Sequence, residues 1–219
     1  MNLVRETIEL IRKEILLELR NKSAISGILL YVFTTTFVVY LTFITVDSRT
    51  WNALFWIVLL FASVNAIAKS FMQENSDRQL YYYTLANPLA IVFSKMIYNT
   101  ILLFVIGVLC FGLFALFVGN PVKDPGLFLI TLLLSSIGLS IAFTFVSAIS
   151  IKANNSSTLM VILSFPVIVP ILMTLIKLSA CSLRLIQDTA YTADLIILMA
   201  IDAILIAIVL ILFPFLWRD

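Results

Sequence analysis

Apolar residues in this chain come in long unbroken runs, not at the two- or three-to-four-residue spacing of a half-buried element. Six runs come near the ~20 residues that a bilayer requires. They lie at about Ser23–Val46, Trp51–Met72, Ile91–Val118, Leu127–Ile151, Thr158–Leu178 and Leu195–Trp217. The pattern predicts an all-α polytopic membrane protein with six transmembrane helices. Asp47–Thr50, Gly119–Gly126 and Lys152–Ser157 are tight connections with turn chemistry such as Gly119-Asn120-Pro121 and Asp124-Pro125-Gly126. Met1 to Lys22 differs: Val4, Ile8, Ile11, Ile15 and Leu19 share one helical face, with Arg5, Glu9, Arg12, Lys13 and Arg20 opposite. This predicts an amphipathic helix lying in the membrane interface, against the plainer reading of a solvated helix. Its charged region is too long for a secretory signal, and no small-residue cleavage site follows. The domain plan is an N-terminal interfacial (elbow) helix over 1–22 and one six-span membrane domain over 23–219, without internal repeats.

Composition agrees with the runs and narrows the chemistry. Of 219 residues, 62% are hydrophobic and 12% charged, far more apolar surface than a soluble domain needs. The basic residues form no stripe interleaved with aromatics, so a nucleic-acid partner is not expected. Their distribution instead sets orientation. With the N-terminus inside, the inner segments hold ten Lys and Arg residues (Arg5, Arg12, Lys13, Arg20, Lys22, Lys69, Arg78, Lys95, Lys152 and Arg218). The outer ones hold four: Arg49, Lys123, Lys177 and Arg184. This bias places both termini in the cytoplasm. Lys69 and Lys95 read as topology markers at span ends, snorkelling to the interface.

Catalytic constellations are missing from the sequence. It has no histidine and no GxxxxGK[ST] phosphate loop, so any ATP hydrolysis must come from another subunit. Cys110 and Cys181 are too few for a disulfide framework; Cys110 reads as a packing residue. No cofactor is expected on this chain.

Three places carry candidate function. The polar interval Gln73–Lys95 separates two apolar runs; Glu74, Asp77 and Ser76 suit a helix start, and Asn87 before Pro88 suits its stop. Leu80, Tyr81, Tyr82 and Leu85 would give that short helix a sticky face, with Glu74, Asp77 and Arg78 at its rim. It reads either as a plug into a cytoplasmic partner or as an aromatic loop among lipid headgroups. Pro166 and Pro170 kink the fifth span, which suits a pathway or gating helix and equally a packing helix. Asp202 lies about two turns inside the sixth span, with Asp194 eight residues earlier on a similar face. An ionisable group at that depth needs a reason: a pairing with Lys177, Arg184 or Asn65, protonation, or a place in transport. Ser179 to Ala193, with Cys181, Arg184 and Asp188, reads as a short outer helix or a re-entrant hairpin.

Together these features resemble the haem exporter protein B (CcmB) family. The matching stretches are Arg12–Arg20 (RKEILLELR), Phe71–Lys95 with Glu74, Asp77 and Asn87-Pro88-Leu89, and Leu163–Leu172 (LSFPVIVPIL). The likeness covers nearly the whole chain. It departs at Ser76-Asp77-Arg78-Gln79-Leu80, where the family often has Asp-Gly-Thr-Leu-Glu. The resemblance implies an ABC-2-like, non-catalytic permease subunit in the bacterial inner membrane, present in two copies. Implied partners are a separate ATP-binding subunit (haem exporter protein A-like), cytochrome c maturation subunits C and D, and indirectly a periplasmic haem chaperone. ATP would sit on the partner, and haem would be a ligand handled by the complex. An exporter permease for another lipophilic or polymeric substrate, or a membrane assembly scaffold, are the alternative readings.

Overall fold

The computed structural model describes residues 3–20, 22–72, 87–151, 156–186 and 191–218. Among them the secondary structure is helical: α1 (Leu3–Arg20), α2 (Lys22–Thr42), α3 (Ser48–Met72), α4 (Pro88–Phe117), α5 (Pro125–Ile151), α6 (Ser156–Ser182) and α7 (Tyr191–Arg218). Five of these hold a segment long and apolar enough to cross a membrane: Ser48–Ile67, Leu89–Phe117, Pro125–Ser147, Leu163–Ser182 and Tyr191–Leu212. The apolar segment of α2 is shorter, Ser26–Thr42. The whole of α2 has 21 residues, about 32 Å at 1.5 Å per residue.

Helix ends fall where capping chemistry puts them. Asp47 Oδ2 accepts the amide hydrogens of Arg49 (3.1 Å) and Thr50 (3.3 Å) and starts α3. Its hydrogen bonds to Thr50 hold the carboxyl below the usual carboxylate range. Asn87 is extended (φ −65°, ψ 128°), and its side chain accepts the Leu89 amide at 3.0 Å with Pro88 in the first turn. Asn87-Pro88 is thus the start of α4, and the helix expected to stop there lies outside the described residues.

The expected separate element from Ser179 is corrected. α6 runs on to Ser182, so Cys181 belongs to it, and Asp188 lies outside the described residues. The helix closes with two 3.0 Å bonds, Leu185 N–H to Ala180 O and Arg184 N–H to Cys181 O, with Arg184 left-handed at φ 54°.

α5 occupies the centre, packed against α3, α4, α6 and α7. Its sequence explains the position. It carries no charged residue, and its buried Thr131, Ser135, Ser136, Ser140 and Thr144 let neighbours approach closely. Three of these hydroxyls are satisfied within the helix: Thr131 donates to Leu127 O, and Ser135 and Ser136 both donate to Leu132 O. The apolar core divides in two. A large cluster contains Trp51, Phe55, Trp56, Phe114 and Phe128. A small one holds Val92, Met96, Ile141 and Val209.

α1 rests on α4 and α2. Its Thr7 and Glu14 are buried, whereas Val4, Ile8 and Ile15 are exposed. The residues expected to share an apolar face do so, and that face turns away from the rest of the chain.

Candidate functional site

The connections after α2, α4 and α6 gather at one end of the bundle, here the loop end. Trp51 Nε1 donates to Gly119 O at 2.9 Å, joining α3 to the α4–α5 connection. The amides of Lys123 and Asp124 donate to Ser182 O at 3.1 and 3.0 Å, joining that connection to the end of α6. Deeper, Trp56 Nε1 donates to Ser179 Oγ (2.8 Å), Ser179 lies 2.7 Å from Asn52 Oδ1, and Asn52 donates to Ile176 O at 3.0 Å. Rings enclose this network: Trp51 stacks on Phe55 at 5.4 Å, and both meet Phe114 edge-on at 5.7 Å. α3 and α6 are thereby tied together by three hydrogen bonds. Lys177 Nζ meets Asp194 Oδ1 at 2.9 Å, tying α6 to α7.

Mid-bundle, the pattern changes. Asp202 on α7 is 5% exposed, and neither carboxyl oxygen has a hydrogen-bond partner among the described residues. Its Oδ1 fills the space a side chain at Gly138 would need: a Cβ there would stand 2.5 Å away. Ile171 of α6 lines the same spot. At neighbouring positions, Ser140 donates to Met96 O (2.8 Å) and Asn99 Nδ2 to Thr144 Oγ1 (2.8 Å), linking α5 to α4. The large core cluster runs past this polar layer along α5, through Leu139, Ala142, Phe143 and Val146, and Leu205 packs against both clusters.

At the opposite end from the loops, α1 docks through charge. Glu14 Oε1 lies 3.8 Å from Lys95 Nζ, both side chains at most 10% exposed, and Glu6 Oε2 accepts the Asn87 amide at 3.4 Å. The reading of Lys95 as a snorkelling marker is corrected. It lies seven residues inside α4 at 6% exposure and faces a buried glutamate, a cheaper solution than reaching for water from that depth.

The other expected residues separate into three groups. Glu74, Asp77, Arg78, Leu80, Tyr81, Tyr82 and Leu85 lie outside the described residues, as does the side chain of Lys69. Pro166 and Pro170 are exposed on a continuous α6, beside Phe165 at 71% exposure. Asp202 is inside the bundle, but the partners expected for it are elsewhere: Lys177 holds Asp194, while Arg184 and Asn65 are exposed. The structure adds Asn52, Ser179, Glu14, Asn99 and Gly138. For the helix that carries Gly138, though not for the glycine itself, a signal existed in the four-residue spacing of Ser136, Ser140 and Thr144.

A family model described as CcmB protein matches residues 5–216. No curated protein and no solved structure matched the chain. The match runs from the first turns of α1 to the last turn of α7, so it takes in the charged N-terminal helix, the central serine-rich helix and the proline-containing α6 in one alignment. The chain belongs to the CcmB family, that of the haem exporter B proteins.

Proposed function

We propose that this chain is the permease subunit of a cytochrome c maturation ABC transporter. It would couple ATP hydrolysis on a separate subunit to haem export, or to loading and release of a haem chaperone. The observation that carries this reading is the CcmB match over nearly the whole of a chain with five membrane-competent helices. The charge bias supports the inner membrane with α2 as the sixth crossing, both termini and 73–86 in the cytoplasm, and the loop end outside. α1 then lies at the cytoplasmic face, with exposed Val4, Ile8 and Ile15 toward lipid.

In this reading Glu74–Leu85 is the contact for the ATP-binding subunit, flanked by α3 and by the α4 start that α1 grips. Movement of the ATPase would reach the bundle through both. Haem is substrate, not a resident cofactor. Trp51, Phe55, Phe114, Phe128 and Leu132 fill the interior of the chain, which supports handling of haem on a surface shared with a second copy or with maturation subunits C and D. Exposed Phe165, Pro166 and Pro170 on α6 are the residues assigned to that surface.

The test uses the purified chain in nanodiscs with its ATP-binding subunit. The chain should stimulate ATP hydrolysis, and Tyr81→Ala with Tyr82→Ala should release the ATPase, because buried interface aromatics contribute roughly 2 kcal/mol or more each. Glu74→Ala should not, since a rim charge contributes on the order of 0–1 kcal/mol. Undiminished ATPase capture by the double tyrosine variant would remove the coupling assignment. Absence of stimulation by the unaltered chain would favour the scaffold reading.

A further inference from the structure

α7 is attached by a narrow stripe. Asp194, Leu198, Asp202 and Val209 are buried along it, while Ile196, Ile197, Met199, Ile204, Ile208 and Ile211 are exposed. Two of the four buried positions are carboxylates, and they are treated differently. Asp194 has Lys177 at 2.9 Å. Asp202, eight residues or about 12 Å further along the helix, has no partner among the described residues on either oxygen.

The groups that could answer Asp202 are few. α5 has no ionisable residue. On α6 the ionisable groups are Lys177, held by Asp194, and Cys181 near its loop end. On α4 they are Lys95, 3.8 Å from Glu14 of α1, together with Tyr98 and Cys110. α7 itself adds Tyr191 at its start and Arg218 at its end. A metal cation would require several oxygen ligands, and no group of three or more His, Cys, Asp or Glu comes together among the described residues. What remains is a single carboxyl group seated on a glycine beside Ile171. An isolated ionised carboxylate is far too costly there, whereas the neutral acid is tolerated.

We propose that Asp202 is a proton-binding site: the carboxyl carries a proton while it is seated on Gly138, and a separation of α7 from α5 and α6 that admits water to the carboxyl releases that proton to the water. Proton uptake and helix docking are then one linked equilibrium, and each must favour the other by the same factor. Gly138 is the second component, because any side chain there would occupy the position of Oδ1. Whatever drives α7 away from α5 changes the protonation of the membrane interior. This does not depend on the identity of the transported substrate, and the chain alone is enough to test it.

Infrared difference spectra of the full chain in nanodiscs at neutral pH should show a protonated carboxylic-acid C=O band. The band should shift with ¹³C-aspartate labelling and disappear in Asp202→Asn. Spin labels at the exposed positions Leu163 of α6 and Ile208 of α7, both on the far side of Asp202 from the loops, report docking without touching the site. Raising the pH should lengthen or broaden that distance in the wild type and leave it fixed in Asp202→Asn. Should Asp202→Asn fail to insert, the isotope shift and the wild-type distance titration still decide. A wild-type spectrum without an aspartic-acid band would overturn the proposal, as would a distance that ignores pH or that responds equally in Asp202→Asn.

Discussion

The loop end and the middle of the bundle solve the same problem in opposite ways. Both must place polar atoms among apolar helices. At the loop end each named residue has a partner: Trp51 Nε1 meets Gly119 O, Trp56 and Asn52 share Ser179, and Asp194 meets Lys177 through Oδ1, although its Oδ2 has no hydrogen bond among the described residues. In the middle, Asp202 has none among the described residues, and Asn99 satisfies its amide nitrogen while its Oδ1 stays without a hydrogen bond. The aromatic part of the large core, Trp51, Phe55, Trp56, Phe114 and Phe128, lies at the loop end. Satisfied polar networks rigidify, whereas unsatisfied buried groups mark contacts with a second arrangement available. On this contrast the loop end is expected to hold still, and a shift of α7 is expected at Asp202 and beyond it.

The largest effect should come from breaking the fixed end. Trp56→Ala removes a side chain that is 1% exposed and the donor to Ser179, and should cost ~3–5 kcal/mol in detergent unfolding. A loss below 1 kcal/mol would show that the loop end is not the anchor. Next, Lys177→Ala leaves Asp194 buried without its partner. Because Lys177 is itself half-exposed, the expected cost is about 1–3 kcal/mol, below that of a fully buried pair. Arg184→Gly should act in the other direction, gaining about 1 kcal/mol, since φ 54° strains any residue with a Cβ. The smallest change is expected at the contrasting carboxylate. Asp202→Asn keeps the shape of a neutral acid and should alter unfolding by less than about 1 kcal/mol. If it costs as much as Lys177→Ala, the two carboxylates are not in different states.

Hydropathy made the apolar helices legible, because bilayer thickness fixes their length whatever they pack against. On sequence Asn87-Pro88 reads as a helix stop and Asp47 as part of a connection, whereas both cap the starts of helices, α4 and α3. Pairings were not legible. From spacing alone Lys177 could reach either Asp194 or Asp202, and only the rotation of α7 against α6 selects Asp194. Lys95 looked like a span-end cation because nothing local indicates that Glu14, 81 residues away in the chain, is brought beside it. For α1 the helical wheel identified which residues share a face, but not that Thr7 and Glu14, which belong to neither named face, would be the ones to dock. Gly138 carried no signal of its own, as its role exists only once α7 lies across it.

The contrast between a fixed loop end and a moving middle is tested most directly by two distances in the complete transporter, with and without ATP. Spin labels at Arg49 and Lys123 span the loop end, and labels at Ile97 and Ile208 span α4 and α7 beyond the polar layer; all four positions are exposed. The account predicts an unchanged Arg49–Lys123 distance and a nucleotide-dependent change between Ile97 and Ile208. A shift at the loop end with Ile97–Ile208 held constant would contradict it.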